Sequence, residues 1–211
     1  MPRPQLLLLL VFCMGFSLGC PDGKYAKPEG EPILPQETSS KLLTLEARQT
    51  INAHKQLYDK SSIPMAIEMV LKLTKHAAPD FYDLQNAWTN KTDGGFSDFD
   101  GKTIKGLTFH KQFGQPQDKD FPLEQFGEPC DKGFPFEKLF ATIDEELTAG
   151  RYVIISLIAT KGLQTYVICD KDKDGEFIAL SKADAITISN NHVKRTVKEM
   201  KGTDILTYEV K

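Results

Sequence analysis

Apolar residues change their period several times along this chain, and each change marks an element. Leu6 to Met14 is an unbroken apolar run behind Arg3. Residues 21–41 then carry Pro21, Pro28, Pro32 and Pro35 among Gly, Glu, Lys and Ser, with no apolar period at all. Leu42, Leu45, Ile51 and Leu57 step at loose helical spacing, which predicts a weakly amphipathic helix over Leu42–Tyr58. A second helix follows, with Ser61 or Ser62 as its cap and Pro64 in the first turn. Ile63, Met65, Ala66, Ile67, Met69, Val70, Leu71 and Leu73 make it apolar on nearly every side, and it stops near His76, ahead of Pro79. A helix of that kind is buried, so this one is the central core helix of the fold.

Residues 88–133 are rich in Gly, Asp, Lys and Phe and predict a long irregular stretch with one short strand at Leu107–Phe109. Phe136, Leu139, Phe140, Ile143 and Leu147 return to helical spacing, and Gly150 stands where a helix-terminating glycine belongs. Strands are expected at Tyr152–Ile158, Gln164–Cys169 and Glu176–Ser181, with Asp174-Gly175 turning a hairpin. Ala185–Ser189, a short helix over Asn191–Met200 and a last strand over Asp204–Val210 complete the order. Helices first and antiparallel strands afterwards predict an α+β domain.

Composition narrows the function classes. The chain has 211 residues, 40% hydrophobic and 26% charged, enough for one domain with its own core. With 26 Lys and Arg against 29 Asp and Glu there is no basic block, so nucleic acid is not an expected partner. Four Cys and four His lie scattered without metal-ligand spacing, and neither metal nor cofactor is expected. The opening apolar segment, about thirteen residues when carried on to Leu18, is too short to span a bilayer and reads as a signal peptide over residues 1–19. Leu18-Gly19-Cys20 is similar to the end of a bacterial lipoprotein signal, which implies lipidation of Cys20. Residues 20–41 then form a tether holding a domain over residues 42–211 off a membrane surface. Ordinary secretion with cleavage nearby is the alternative. In an oxidising compartment Cys130 and Cys169 are candidates for a disulfide, or remain free thiols.

Several residues have plain readings. Ser62 reads as the cap of the buried helix, Gln56 as a solvated helix residue, and Gln164 and Ser181 as strand residues. Asp170-Lys171-Asp172-Lys173-Asp174-Gly175 copies the first half of a calcium loop. Position twelve is Ser181, however, and strands flank it, so a charged hairpin turn is favoured. Asn90-Lys91-Thr92 is a glycosylation sequon, and His54 and His76 read as surface or satisfied core groups. Trp88, Phe96, Phe99, Phe109 and Phe113 form either a satellite core under the loops or the lining of a groove.

The order of segments nevertheless resembles a known family. Gln56-Leu57-Tyr58-Asp59-Lys60-Ser61-Ser62-Ile63-Pro64 precedes the buried helix; Ala149-Gly150-Arg151-Tyr152-Val153-Ile154-Ile155 opens the sheet; Gln164-Thr165-Tyr166-Val167-Ile168 and Phe177-Ile178-Ala179-Leu180-Ser181 follow. Over roughly residues 50–210 this resembles the papain-like fold of the double-glycine, bacteriocin-processing cysteine peptidases and their non-catalytic relatives. The resemblance implies an N-terminal helical half packed on a C-terminal antiparallel sheet, with a cleft between them. It also implies four positions: Gln56 as oxyanion donor, Ser62 where the nucleophilic Cys belongs, Gln164 where the base His belongs, and Ser181 where the orienting acid belongs. A one-residue slip would put Thr165 at the His position instead. Neither supplies a base, so peptide hydrolysis is not expected. The implied function is a pseudo-peptidase that binds a peptide or protein partner in its cleft. An active hydrolase built on Ser62, or on Cys130 with His110 or His192, and a purely structural envelope lipoprotein are the alternatives.

Overall fold

The structure is a computed structural model and describes residues 42–89, 94–114, 133–159 and 162–211. Thr44 caps the first helix, α1 (Leu45–Ala53), by accepting from the Ala47 N–H at 3.1 Å. The helix is shorter than its apolar spacing suggests because His54 turns to an extended backbone and its N–H closes the last turn. The loop that follows leads into α2 (Ser62–Leu73), in which every residue from Pro64 to Lys72 is buried. Ser62 is the first helical residue and not the cap; Ser61 holds that position, and its hydroxyl lies 2.8 Å from both the Tyr58 carbonyl and Gln85 Oε1. α3 (Asp83–Trp88) and a 3₁₀ turn at Phe96–Asp98 follow, neither of which the apolar spacing marks.

Among the described residues the sheet has seven strands, all antiparallel: β1 (Thr103–Ile104), β2 (Leu107–Gln112), β3 (Val153–Ala159), β4 (Gly162–Lys171), β5 (Phe177–Ala183), β6 (Ile186–Asn190) and β7 (Ile205–Val210). Their spatial order is β1-β2-β7-β3-β4-β5-β6, so the last strand enters the middle of the sheet. β2 runs on to Gln112 because β7 pairs with it from Leu107↔Val210 to Gln112↔Ile205. Between β2 and β3 lies α4 (Phe136–Thr148), ending before Gly150, whose φ of 78° is the left-handed conformation of a helix stop. Between β6 and β7 lies α5 (Val193–Glu199).

Strand alternation sends successive side chains to opposite faces, and each face has its own core. Ile154, Val167, Cys169, Ile178, Leu180 and Leu206 pack under α2. Val153, Ile155, Tyr166, Ile168, Phe177 and Ala179 pack with Leu139, Phe140 and Ile143 of α4 and Val193 and Val197 of α5. The β4–β5 connection is a charged turn: Asp172 Oδ1 accepts from the Asp174 and Glu176 N–H groups, both at 2.9 Å, and Gly175 takes a φ of 77°. That carboxylate oxygen closes a hairpin, as the strand-flanked reading requires. No helix among the described residues is long and apolar enough to cross a membrane.

Ile67 has no exposed surface and packs in the α2 core. Ile67→Ala is expected to cost about 2–5 kcal/mol in urea unfolding through lost burial and the cavity left behind. A cost near zero would show that α2 is not the centre of the core.

Candidate functional site

Four separate segments meet at the N-terminal end of α2. The loop between α1 and α2 brings Gln56, α2 opens with Ser62, β4 brings Gln164 and Thr165, and β5 brings Ser181. Thr165, and not Gln164, stands opposite Ser62, with the two hydroxyl oxygens 3.2 Å apart. The reason is the pleat: Thr165 shares a face with Val167 and Cys169, which pack under α2, whereas Tyr166 and Ile168 face α4 and α5. Gln164 contributes to the same cluster from beside it. Its Nε2 lies 3.1 Å from Gln56 Oε1, 2.9 Å from Ser181 Oγ and 3.1 Å from the Lys182 carbonyl. Ser181 Oγ donates to the Thr165 carbonyl at 2.6 Å.

The chemistry of this cluster is that of neutral amides and hydroxyls. Gln56 Nε2 donates to the Tyr58 and Asp59 carbonyls at 2.9 and 3.0 Å, so its N–H groups brace their own loop. Neither Ser62 nor Thr165 is hydrogen-bonded to an imidazole or a carboxylate among the described residues. A hydroxyl with no base to take its proton is a poor nucleophile. The other candidates are dispersed. His110 is on β2 beside Glu209 at 3.4 Å, and His192 immediately precedes α5 near the opposite border of the sheet. Cys20 and Cys130 lie outside the described residues, as does the 90–92 sequon. Cys169 is a free thiol with no exposed surface, and burial pushes its pKa well up. The aromatic set is core: Phe96, Phe99 and Phe109 are buried, and Trp88 stacks on Phe99 at 5.4 Å. No cluster of three or more metal-ligating side chains occurs among the described residues.

A second polar network holds the loop that carries Gln56. Glu68 is fully buried in α2, and its two oxygens accept from the Gln85 N–H at 2.9 Å and Gln85 Nε2 at 2.7 Å. Gln85 Oε1 in turn accepts from the Leu57 N–H at 2.7 Å and lies 2.8 Å from Ser61 Oγ. Each buried polar atom thus has a partner, as a low-dielectric interior demands. One turn on, Lys72 Nζ lies 3.0 Å from His54 Nδ1, and His54 Nε2 lies 2.9 Å from the Met65 carbonyl. Nε2 therefore carries the proton and Nδ1 the lone pair. Burial pushes His54 down to about 3 and Lys72 down to about 8, and it raises Glu68. The sequence held one signal of this network: Glu68 and Lys72 are the charged residues of an otherwise apolar helix.

Beyond Thr165 the sheet continues past the end of α2. Leu163 and its cross-strand partner Ile158 lie on the α2-side face there, 52% and 58% exposed, and form an apolar ledge beside the hydroxyl pair. Two cavities lie elsewhere, along α1 and the C-terminal half of α2, and neither is lined by Gln56, Ser62, Gln164 or Ser181. Comparison with profiles of known protein families, with curated proteins and with solved structures finds no match.

His54 sets a pH dependence. Its folded value lies below the unfolded 6.5, so below that pH the unfolded chain binds a proton the native state refuses. Stability is therefore lost as pH falls from 6.5 toward 3. Glu68 has the opposite sign, because its raised value means that stability is lost as pH rises above the unfolded 4.5. His54→Gln removes only the first effect. Wild type should lose up to about 1.4 kcal/mol more per pH unit than the variant on acidification below pH 6.5. Urea midpoints from pH 7 downward measure this, and equal slopes would mean that His54 is charged in the native state.

Proposed function

We propose that this chain is a non-catalytic, papain-like domain that binds a peptide or protein partner, exported from the cell and anchored by lipid on Cys20. What carries the reading is the meeting of Gln56, Ser62, Gln164, Thr165 and Ser181 at one helix N-terminus. A papain-like peptidase places its oxyanion donor, nucleophile, base and orienting group in that order and arrangement. Here a hydroxyl replaces the thiol, Thr165 and Gln164 occupy the neighbourhood of the base, and Ser181 takes the place of the acid. No imidazole or carboxylate is hydrogen-bonded to Ser62 or Thr165 among the described residues, which speaks against hydrolysis and supports the binding reading.

The Ile158–Leu163 ledge supplies an apolar surface next to hydroxyls that can hydrogen-bond a peptide backbone. A second reading, a structural envelope protein, is favoured by a different observation. Gln56, Gln164 and Ser181 are bonded chiefly to one another and to nearby backbone, and neither cavity reaches them. In that case the cluster only clamps the helical half to the sheet.

One experiment separates these. The full chain, Ser62→Ala and Leu163→Asp are incubated with a complex peptide mixture, and cleavage and retention are both read by mass spectrometry. Binding predicts retention without cleavage, little changed by Ser62→Ala and lowered at least about tenfold by Leu163→Asp, since a charge on the ledge must be desolvated. No retention by any form would favour the structural reading. Cleavage lost in Ser62→Ala would make Ser62 a nucleophile and overturn both.

The anchor has its own test. In a bacterial host fed an alkyne-tagged fatty acid, the full chain should carry the label and sediment with membranes, and Cys20→Ser should lose both. Equal labelling of the two would remove Cys20 as the anchor.

A further inference from the structure

The two cavities along α1 and α2 share Glu46, Thr50, Lys72 and Lys75, so they are halves of one groove. The Lys75–Glu46 ion pair, at 3.0 Å and with both side chains about 70% exposed, divides them. An exposed pair of this kind is weak and gives way readily to a competing charge. The larger half, of about 590 Å³, has apolar walls from Ala53, Ala77, Ala78 and Pro79. Its cationic side comes from Lys72 and Lys75, with His76 beside them. A volume of this order suits a small molecule.

Lys72 is the unusual member. It is only 7% exposed, and its ammonium meets two neutral partners, the Nδ1 lone pair of His54 at 3.0 Å and the Tyr82 ring at 3.6 Å. Among the described residues no carboxylate forms an ion pair with it; Glu68 and Asp80 act on it only through space. Nor are these cations consumed in closing the C-terminal end of α2. The carbonyls of Val70, Leu71 and Lys72 already accept from the backbone N–H groups of Thr74, His76, Ala77 and Lys75. A buried ammonium with three donors and one hydrogen-bond acceptor is left short of partners.

We propose that this groove binds a small organic acid, its carboxylate held by Lys72 and Lys75 and its compact apolar body lying against Ala53, Ala77, Ala78 and Pro79. The incoming carboxylate takes the place of Glu46 on Lys75 and meets the free donor of Lys72. Such a site is separate from the Ser62 cluster and does not depend on how that cluster is read.

The test titrates the ¹⁵N-labelled full chain with benzoate and hexanoate, and with benzamide and hexanamide as neutral isosteres, following backbone amides by NMR. The acids should shift Thr50, Ala53 and Ala77 and bind at least about tenfold more tightly than the amides. Lys72→Met should weaken the acids by at least about tenfold. Glu46→Gln, an exposed change that frees Lys75, should tighten them severalfold and keeps the test alive if Lys72→Met does not fold. Equal binding of acids and amides, no shift at about 10 mM acid, or no tightening in Glu46→Gln would each overturn the proposal.

Discussion

Burial of α2 is the constraint on which the rest of the structure depends. A helix apolar on nearly every side has no face to offer water, so it must be enclosed, and here α1, α3, β4 and β5 enclose it. That requirement explains why the sheet presents two apolar faces. One is covered by α2 and its neighbours, and the other must then be covered by α4 and α5. It also explains the placement of β7, whose Leu206 and Tyr208 complete the α2 side while Ile205 serves the other.

The same burial makes polar groups on α2 expensive, and for Glu68 the structure answers with full pairing. Glu68 in the middle of the helix is offset by both donors of Gln85, and the far end of Gln85 fastens the loop before α2. A buried charge stripped of its partners costs several kcal/mol, so this pairing fixes α3 and the loop relative to the helix. On the other side, Lys182 has no exposed surface and reaches Thr187 Oγ1 at 3.0 Å and the Asn52 carbonyl at 3.3 Å, tying β5 to the last turn of α1. The position of Gln56 is thus set from two directions. Its loop is held by Gln85, and its own N–H donates to the Asp184 carbonyl at 3.0 Å.

These ties account for a cluster of neutral amides and hydroxyls that brace one another. The N-terminus of α2 is brought against β4 and β5 whatever residues stand there, because the apolar surfaces behind it dictate the docking. Ser62, Thr165, Gln164 and Ser181 then satisfy one another within that fixed frame. The surfaces left open are the ledge of Ile158 and Leu163 beyond the end of the helix and the groove along α1.

The sequence by itself determined the α+β class, the buried helix, the β3–β4–β5 run, the Gly150 helix stop and the hairpin at Asp174-Gly175. Each rests on local period or turn chemistry, which neighbouring residues alone decide. The resemblance read from the order of segments also named Gln56, Ser62, Gln164 and Ser181, which the structure places near one another. Tertiary structure decided the remainder. Thr165 instead of Gln164 faces Ser62 because register is chosen by which face of β4 packs under α2, and a shift of one residue inverts every side chain. β2 reaches Gln112 only because a strand about a hundred residues later pairs with it. Ser61, and not Ser62, stands at the head of α2 because Tyr58 and Gln85 claim its hydroxyl. The role of Lys72 was also beyond local reading: whether a lysine in a greasy helix snorkels to water or stays buried depends on His54, Tyr82 and the groove wall, which only the folded chain assembles.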